Sequence, residues 1–73
     1  MNPSDQWLAE HLPGTCPELA VEWIKESGLI LNDPNYQHFK TVINRRMRIG
    51  EKYGLFQWTG EVQKDGSKIW NNA

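Results

Sequence analysis

Apolar residues recur at helical spacing over three stretches of this 73-residue chain and then give way to alternation. Trp7, Leu8, His11 and Leu12 share one side of a short segment that Ser4 can cap and Pro13-Gly14 ends, which predicts a helix over 4–12. Thr15-Cys16-Pro17-Glu18 has the form of a capping box: the Thr15 hydroxyl takes the Glu18 amide and the Glu18 carboxylate reaches back. Leu19, Ala20, Trp23, Ile24 and Ser27 then lie opposite Glu18, Glu22, Lys25 and Glu26, giving a second helix over 17–27 that Gly28 can terminate in the left-handed region. Asp33-Pro34 starts a third, over 34–53, with Asp33 as cap. Tyr36, Phe39, Val42, Ile43, Met47, Gly50 and Tyr53 form its apolar face, and Gln37, Lys40, Thr41, Asn44, Arg45, Arg48 and Lys52 lie opposite. A glycine inside a helix costs about 1 kcal/mol relative to alanine, so Gly50 implies close packing or a bend.

Beyond Gly54 the period shortens to two. Phe56, Trp58 and Val62 alternate with Gln57, Thr59 and Glu61, and a second run follows at Ser67-Lys68-Ile69-Trp70. Asp65-Gly66 between them is a strong hairpin signal, so strands are predicted at 55–62 and 67–72. A two-residue loop sets Val62 opposite Ile69 and Glu61 opposite Trp70; a longer loop with a bulge changes that register. The fold class is therefore α+β, three helices followed by a C-terminal hairpin, in one domain over 1–73. Trp7, Trp23 and Trp58 are expected in the core, and Trp70 is the aromatic considered for an interface.

Charge sharpens this picture. The formal net charge is −1, yet residues 1–36 carry six acids against Lys25 alone, while residues 37–73 carry seven bases against Glu51, Glu61 and Asp65. Arg45, Arg46 and Arg48 crowd the third helix, with Arg46 nearest the apolar flank and suited to packing its stem or pairing with an acid. A basic face and an acidic face are expected, with the acidic second helix on the far side.

Other chemistries find little support. One cysteine excludes an internal disulfide framework, and no apolar run approaches the roughly 20 residues of a membrane span or the form of a signal peptide. The expectation is a cytoplasmic protein with no membrane partner; its methionine start is compatible with a whole small protein, and one domain of a larger protein stays open as the alternative. His11, Cys16 and His38 are the only soft ligands and lie at no zinc-site spacing; a Cys16 thiolate at a helix start has no accompanying nucleophile motif. Neither a cofactor, a metal site nor an enzymatic activity is expected.

The order of elements, with the text "TVINRRMRIGEKYGLFQWTG" followed by "EVQKDGSKIW", resembles the winged helix-turn-helix superfamily of DNA-binding domains. There the recognition helix ends in arginines and small apolar residues, followed by glycine-leucine and the first wing strand, as at Tyr53-Gly54-Leu55. The connection "GLILNDPN" is longer than the usual tight turn. The size is also similar to that of small phage excisionases and regulators, but no excisionase motif is present. The resemblance implies a sequence-specific double-stranded DNA-binding protein, a transcriptional regulator or recombination accessory factor associated with the nucleoid. It implies base reading by Gln37, Lys40, Thr41, Asn44 and Arg45, phosphate contact by Arg48, Lys52, Lys64 and Lys68, and a homodimer on DNA. Two alternatives stay open. A basic helix face is also what solvation and the helix dipole favour, and a winged domain can serve as a protein-interaction module, here through Trp70 and the hairpin.

Overall fold

Each helix begins where the chain supplies an oxygen for its free amides. The computed structural model describes residues 1–73 and contains α1 (Pro3–His11), α2 (Cys16–Glu26), α3 (Asp33–Lys52), β1 (Phe56–Val62) and β2 (Lys68–Asn72). Three helices thus precede a two-strand antiparallel hairpin. Asn2 caps α1, its Oδ1 accepting the Asp5 amide at 2.8 Å, and Asn32 caps α3, accepting the Asn35 amide at 3.0 Å. Both caps lie earlier than the expected Ser4 and Asp33, because Pro3 and Pro34 each fit the first turn behind an asparagine. Thr15 caps α2 as expected, but the Glu18 carboxylate does not return to it. That carboxylate accepts from Gln63 Nε2 on the hairpin. The amino end of α2 therefore sits beside the hairpin, and the far-side placement expected for this acidic helix does not hold at Glu18.

The ends of α2 and α3 are alike. Gly28 and Gly54 have φ of 71° and 77°, and in each case the following N–H, of Leu29 or Leu55, reaches back five residues to the Ile24 or Gly50 carbonyl. This double closure is the Schellman arrangement, in which only glycine adopts the left-handed turn without strain. It ends α3 at Lys52 and leaves Tyr53, expected on the apolar face, 72 % exposed.

The core is one cluster of Leu8, Cys16, Leu19, Ala20, Ile43, Met47, Phe56 and Trp70, flanked by Trp7, Trp23 and Phe39. Its centre is the approach of β1 to α3. A Cβ on Gly50 would lie 2.2 Å from Phe56 Cδ2, so the ring occupies the space that the missing side chain leaves. The shortest dimension of the molecule is 17 Å, which leaves room for little more than one layer of side chains.

The hairpin departs from the two-residue register. Trp58 faces Trp70 and Val62 faces Lys68, with a bulge between, around Gly60 at φ 89°. The Thr59 hydroxyl donates to the Ile69 carbonyl at 2.9 Å and Trp58 Nε1 to the Glu61 carbonyl at 2.8 Å, so two side chains brace the bulge. Trp70 is buried at 3 % exposure, which removes it as an interface residue; Trp58 is 42 % exposed, which corrects its assignment to the core. Both lie on one face of the hairpin, but Phe56 and Trp70 fill the space against the helices and Trp58 meets Lys68 instead. Trp70 also exchanges both backbone hydrogen bonds with Gly14, at 2.8 and 3.0 Å, which adds the α1–α2 linker to the sheet as a single-residue third strand. No helix is long and apolar enough to cross a membrane.

Two polar clasps fasten α1. Asp5, nearly buried, receives Arg46 Nε and Nη2 at 3.1 and 2.7 Å, so of the two roles expected for the arginine near the apolar flank, stem packing or pairing with an acid, the structure has the pairing. At the other end, His11 stacks on Trp7 with ring centroids 3.9 Å apart, and its Nδ1 and Nε2 lie 2.8 Å from the Trp7 carbonyl and from Glu26 Oε2. Both neighbours accept, so only the imidazolium can donate to both. Desolvation opposes that charge, but the Trp7 carbonyl, the Glu26 carboxylate and the more distant Glu10 outweigh it and raise the His11 pKa above 6.5.

Two outcomes are expected. Gly50→Ala gains about 1 kcal/mol of helix propensity but overpacks Phe56 at about 1–3 kcal/mol, so urea unfolding should show a net loss, and the same substitution in a Phe56→Leu background should be less harmful or favourable. Because the folded-state pKa of His11 is raised, its stabilisation is complete below pH 6.5 and is lost as the pH rises through the folded value. The urea midpoint should therefore fall as the pH is raised above 6.5, and His11→Gln should flatten that dependence.

Candidate nucleic-acid interface

Helical spacing sets Thr41, Asn44, Arg45, Arg48 and Lys52 along one side of α3, where they line a shallow depression of about 460 Å³ with Ile49. A second depression of about 460 Å³ opens between α3, the start of α2 and the hairpin, and includes Lys40, Thr41, Asn44, Ser67 and Lys68. A third joins Asn44 and Arg48 to Lys68 and Glu51. Asn44 is common to all three. The fold thus brings six of the nine residues named from the sequence around Asn44: Lys40, Thr41, Arg45, Arg48, Lys52 and Lys68.

The remaining two stand apart. Gln37 is exposed one turn before Thr41 and contributes its carbonyl to the Thr41 hydroxyl at 2.9 Å, which engages that hydroxyl's proton within the helix. Lys64 lies at the tip of the hairpin with Val62, Gln63 and Asp65.

The cations are held but not neutralised. The chain's ion pairs are Arg46–Asp5 and His11–Glu26, so neither Arg45 nor Arg48 is paired with an acid. The Lys40 ammonium rests 5.0 Å from the Tyr36 ring centroid, that of Lys68 4.8 Å from Trp58, and that of Lys52 5.9 Å from Tyr53. An aromatic face attracts a cation without using its hydrogen-bond donors, so each ammonium keeps all three N–H groups for a ligand. Two acids border the surface. Glu51 lies with Arg48 and Lys68, while Asp65 accepts from the Ser67 amide at 3.0 Å within the hairpin turn, a bond that with the Ser67 side chain holds its carboxyl below the ordinary carboxylate range.

Several of these roles are not carried by the sequence pattern. Tyr36 and Trp58 act as supports for lysines, whereas a period-two or helical pattern marks them only as apolar. Cys16 lies beneath Asn44, with its Sγ 3.9 Å from Asn44 Oδ1. Burial pushes its thiol up to about 11, so the group stays protonated and the thiolate considered for a helix start does not form.

The chain matches no protein-family model, no curated protein and no solved structure.

The three arginines should separate by role. Arg46→Ala leaves the Asp5 carboxylate buried without its partner and should destabilise the fold by about 3 kcal/mol, whereas Arg45→Ala and Arg48→Ala should stay within about 0.5 kcal/mol in the same urea titration.

Proposed function

We propose that the chain is a small winged-helix protein that binds double-stranded DNA, reading the major groove with α3 and gripping phosphate with the hairpin. The observation that carries this reading is the meeting of Asn44, Arg48 and Lys68 on one surface although Lys68 lies on a different element. A solvated helix face needs no such partner across a groove. Duplex DNA presents one negative charge per about 1.7 Å of axis, so a ligand of that form matches a row of unpaired cations along a 20-residue helix.

Roles follow from position. Asn44 and Arg45 stand at the middle of the row, where hydrogen-bond donors reach base edges; Gln37 and Thr41 extend it toward the start of the helix. Arg48, Lys52 and Lys68 flank this group on the phosphate side, and Lys64 reaches out from the hairpin tip. Lys40, supported by Tyr36 inside the groove, fits phosphate as well as a base. A protein of this kind acts in transcription regulation or as a recombination accessory factor. The alternative, a protein-interaction module without DNA binding, loses Trp70 to the core and rests on the exposed remainder of the hairpin.

Binding to a random duplex should weaken steeply with salt. Arg48→Ala or Lys68→Ala should lower the slope of log K against log salt by about one unit and affect all sequences alike. Asn44→Ala and Arg45→Ala should cost about 1–3 kcal/mol on the preferred site and little on random DNA. Fluorescence anisotropy measures both. A salt-independent response with affinity no better than roughly 10⁻⁴ M removes the proposal.

A further inference from the structure

Two apolar side chains stand in water on either side of Lys68: Trp58 at 42 % exposure and Val62 at 55 %. Register places all three on one face of the hairpin. Val62 is the cross-strand partner of Lys68, Trp58 is that of Trp70, and Lys68 and Trp70 are next-but-one neighbours on β2. The same face buries Trp70 and sets Lys68 beside Asn44 and Arg48, so the strip of Trp58, Lys68 and Val62 lies along the groove with α3 and not on the back of the hairpin.

The strip is ordered, yet much of its apolar surface is unused within the chain. Trp58 Nε1 donates to the Glu61 carbonyl at 2.8 Å and the Thr59 hydroxyl to the Ile69 carbonyl at 2.9 Å, which fixes the indole where it stands. With its one N–H engaged, the indole has only apolar surface and its ring face left for a ligand. The Lys68 ammonium, 4.8 Å from the ring centroid and paired with no acid, keeps its N–H groups free. An apolar group gains nothing from water, and a fixed indole loses little entropy on being covered.

The order apolar, cation, apolar selects the occupant. In one strand of DNA every phosphate stands between two sugars, so a phosphate on Lys68 brings a sugar toward Trp58 on one side and toward Val62 on the other. A free phosphate meets the lysine and leaves both apolar groups in water. An acidic peptide sets amide groups, which need hydrogen-bond partners, against an indole with none to give.

We infer that Trp58 and Val62 pack against the sugars on either side of a phosphate held by Lys68, so that the hairpin clamps one strand of a duplex without reading its sequence. The inference rests on the DNA-binding reading and adds to it an apolar contact that charge does not supply. Anisotropy with random duplexes at several salt concentrations tests it. Trp58→Ala should weaken binding about tenfold, by the same factor at every salt, because an apolar contact releases no counterion. Lys68→Ala lowers the salt slope instead, and adding Trp58→Ala to it should still cost at least about threefold, since the sugar contact is separate from the support of the lysine. Val62→Ala, at an exposed position that leaves the thermal melt unchanged, should cost about threefold and so tests the contact without touching the core. Replacing thymine by deoxyuridine removes the base methyls and should leave the Trp58→Ala loss as it is. Unchanged affinity in Trp58→Ala and Val62→Ala, or a Trp58→Ala loss that vanishes in the Lys68→Ala background or with deoxyuridine, overturns the inference while salt-dependent binding by the wild type upholds the DNA reading. No duplex binding by the wild type overturns both.

Discussion

The structure depends on a side chain that is absent. With hydrogen at Gly50, the Phe56 ring lies against α3 closer than any other residue type at that position permits. That contact fixes the distance of β1 from the helix, and β1 fixes β2 through the Phe56–Asn72 and Trp58–Trp70 pairs. Trp70 is then buried and bonded on its other edge to Gly14. The hairpin is thereby held between helix and linker, which an isolated two-stranded ribbon is too weak to achieve alone. Lys68, two residues before Trp70, comes to face Asn44 and Arg48 because of this chain of contacts. The glycine's loss of about 1 kcal/mol in helix propensity is offset by a core that a domain of this size otherwise lacks.

Charge is sorted in the same economical way. The one arginine of three that points toward α1 is bound to the nearly buried Asp5, which gives a position-specific lock between α1 and α3. The two that point away have no acid, and three lysines lean on aromatic rings rather than on carboxylates. Acids in the first half are partly consumed within the fold: Asp5 by Arg46, Glu26 by Trp7 and His11, and Glu18 by Gln63. A chain of net charge −1 can therefore present an uncompensated positive surface.

The helices and the hairpin are legible in the sequence because each rests on local chemistry: the 3.6-residue apolar period, proline at the starts, glycine at the stops, and Asp65-Gly66 at the turn. Even so, the caps at Asn2 and Asn32 are displaced from Ser4 and Asp33, since several neighbouring residues can all accept an amide and only the entry of the preceding chain decides between them. What depends on depth is not legible. Trp58 and Trp70 alternate identically with their neighbours, yet one is buried and the other half-open, because the thin core ends between them. The bulge at Gly60 and the Gly14 bridge are products of tertiary fit, with no periodic signal. Of the candidate site, the row on α3 and the setting apart of Arg46 follow from helical geometry alone, while the separation of Lys64 from Lys68 and the choice of Asp5 as the partner of Arg46 need the folded chain.

The central claim is that α3 and the hairpin present one surface to duplex DNA. It is tested most directly by following the backbone amide resonances of the labelled protein during titration with a short duplex. The account predicts shifts concentrated in α3 from Gln37 to Lys52 and in the hairpin from Lys64 to Lys68, with the face of α2 bearing Glu22 and Glu26 unchanged. Shifts confined to the hairpin, or spread evenly over α1 and α2, or no shift at all, contradict it.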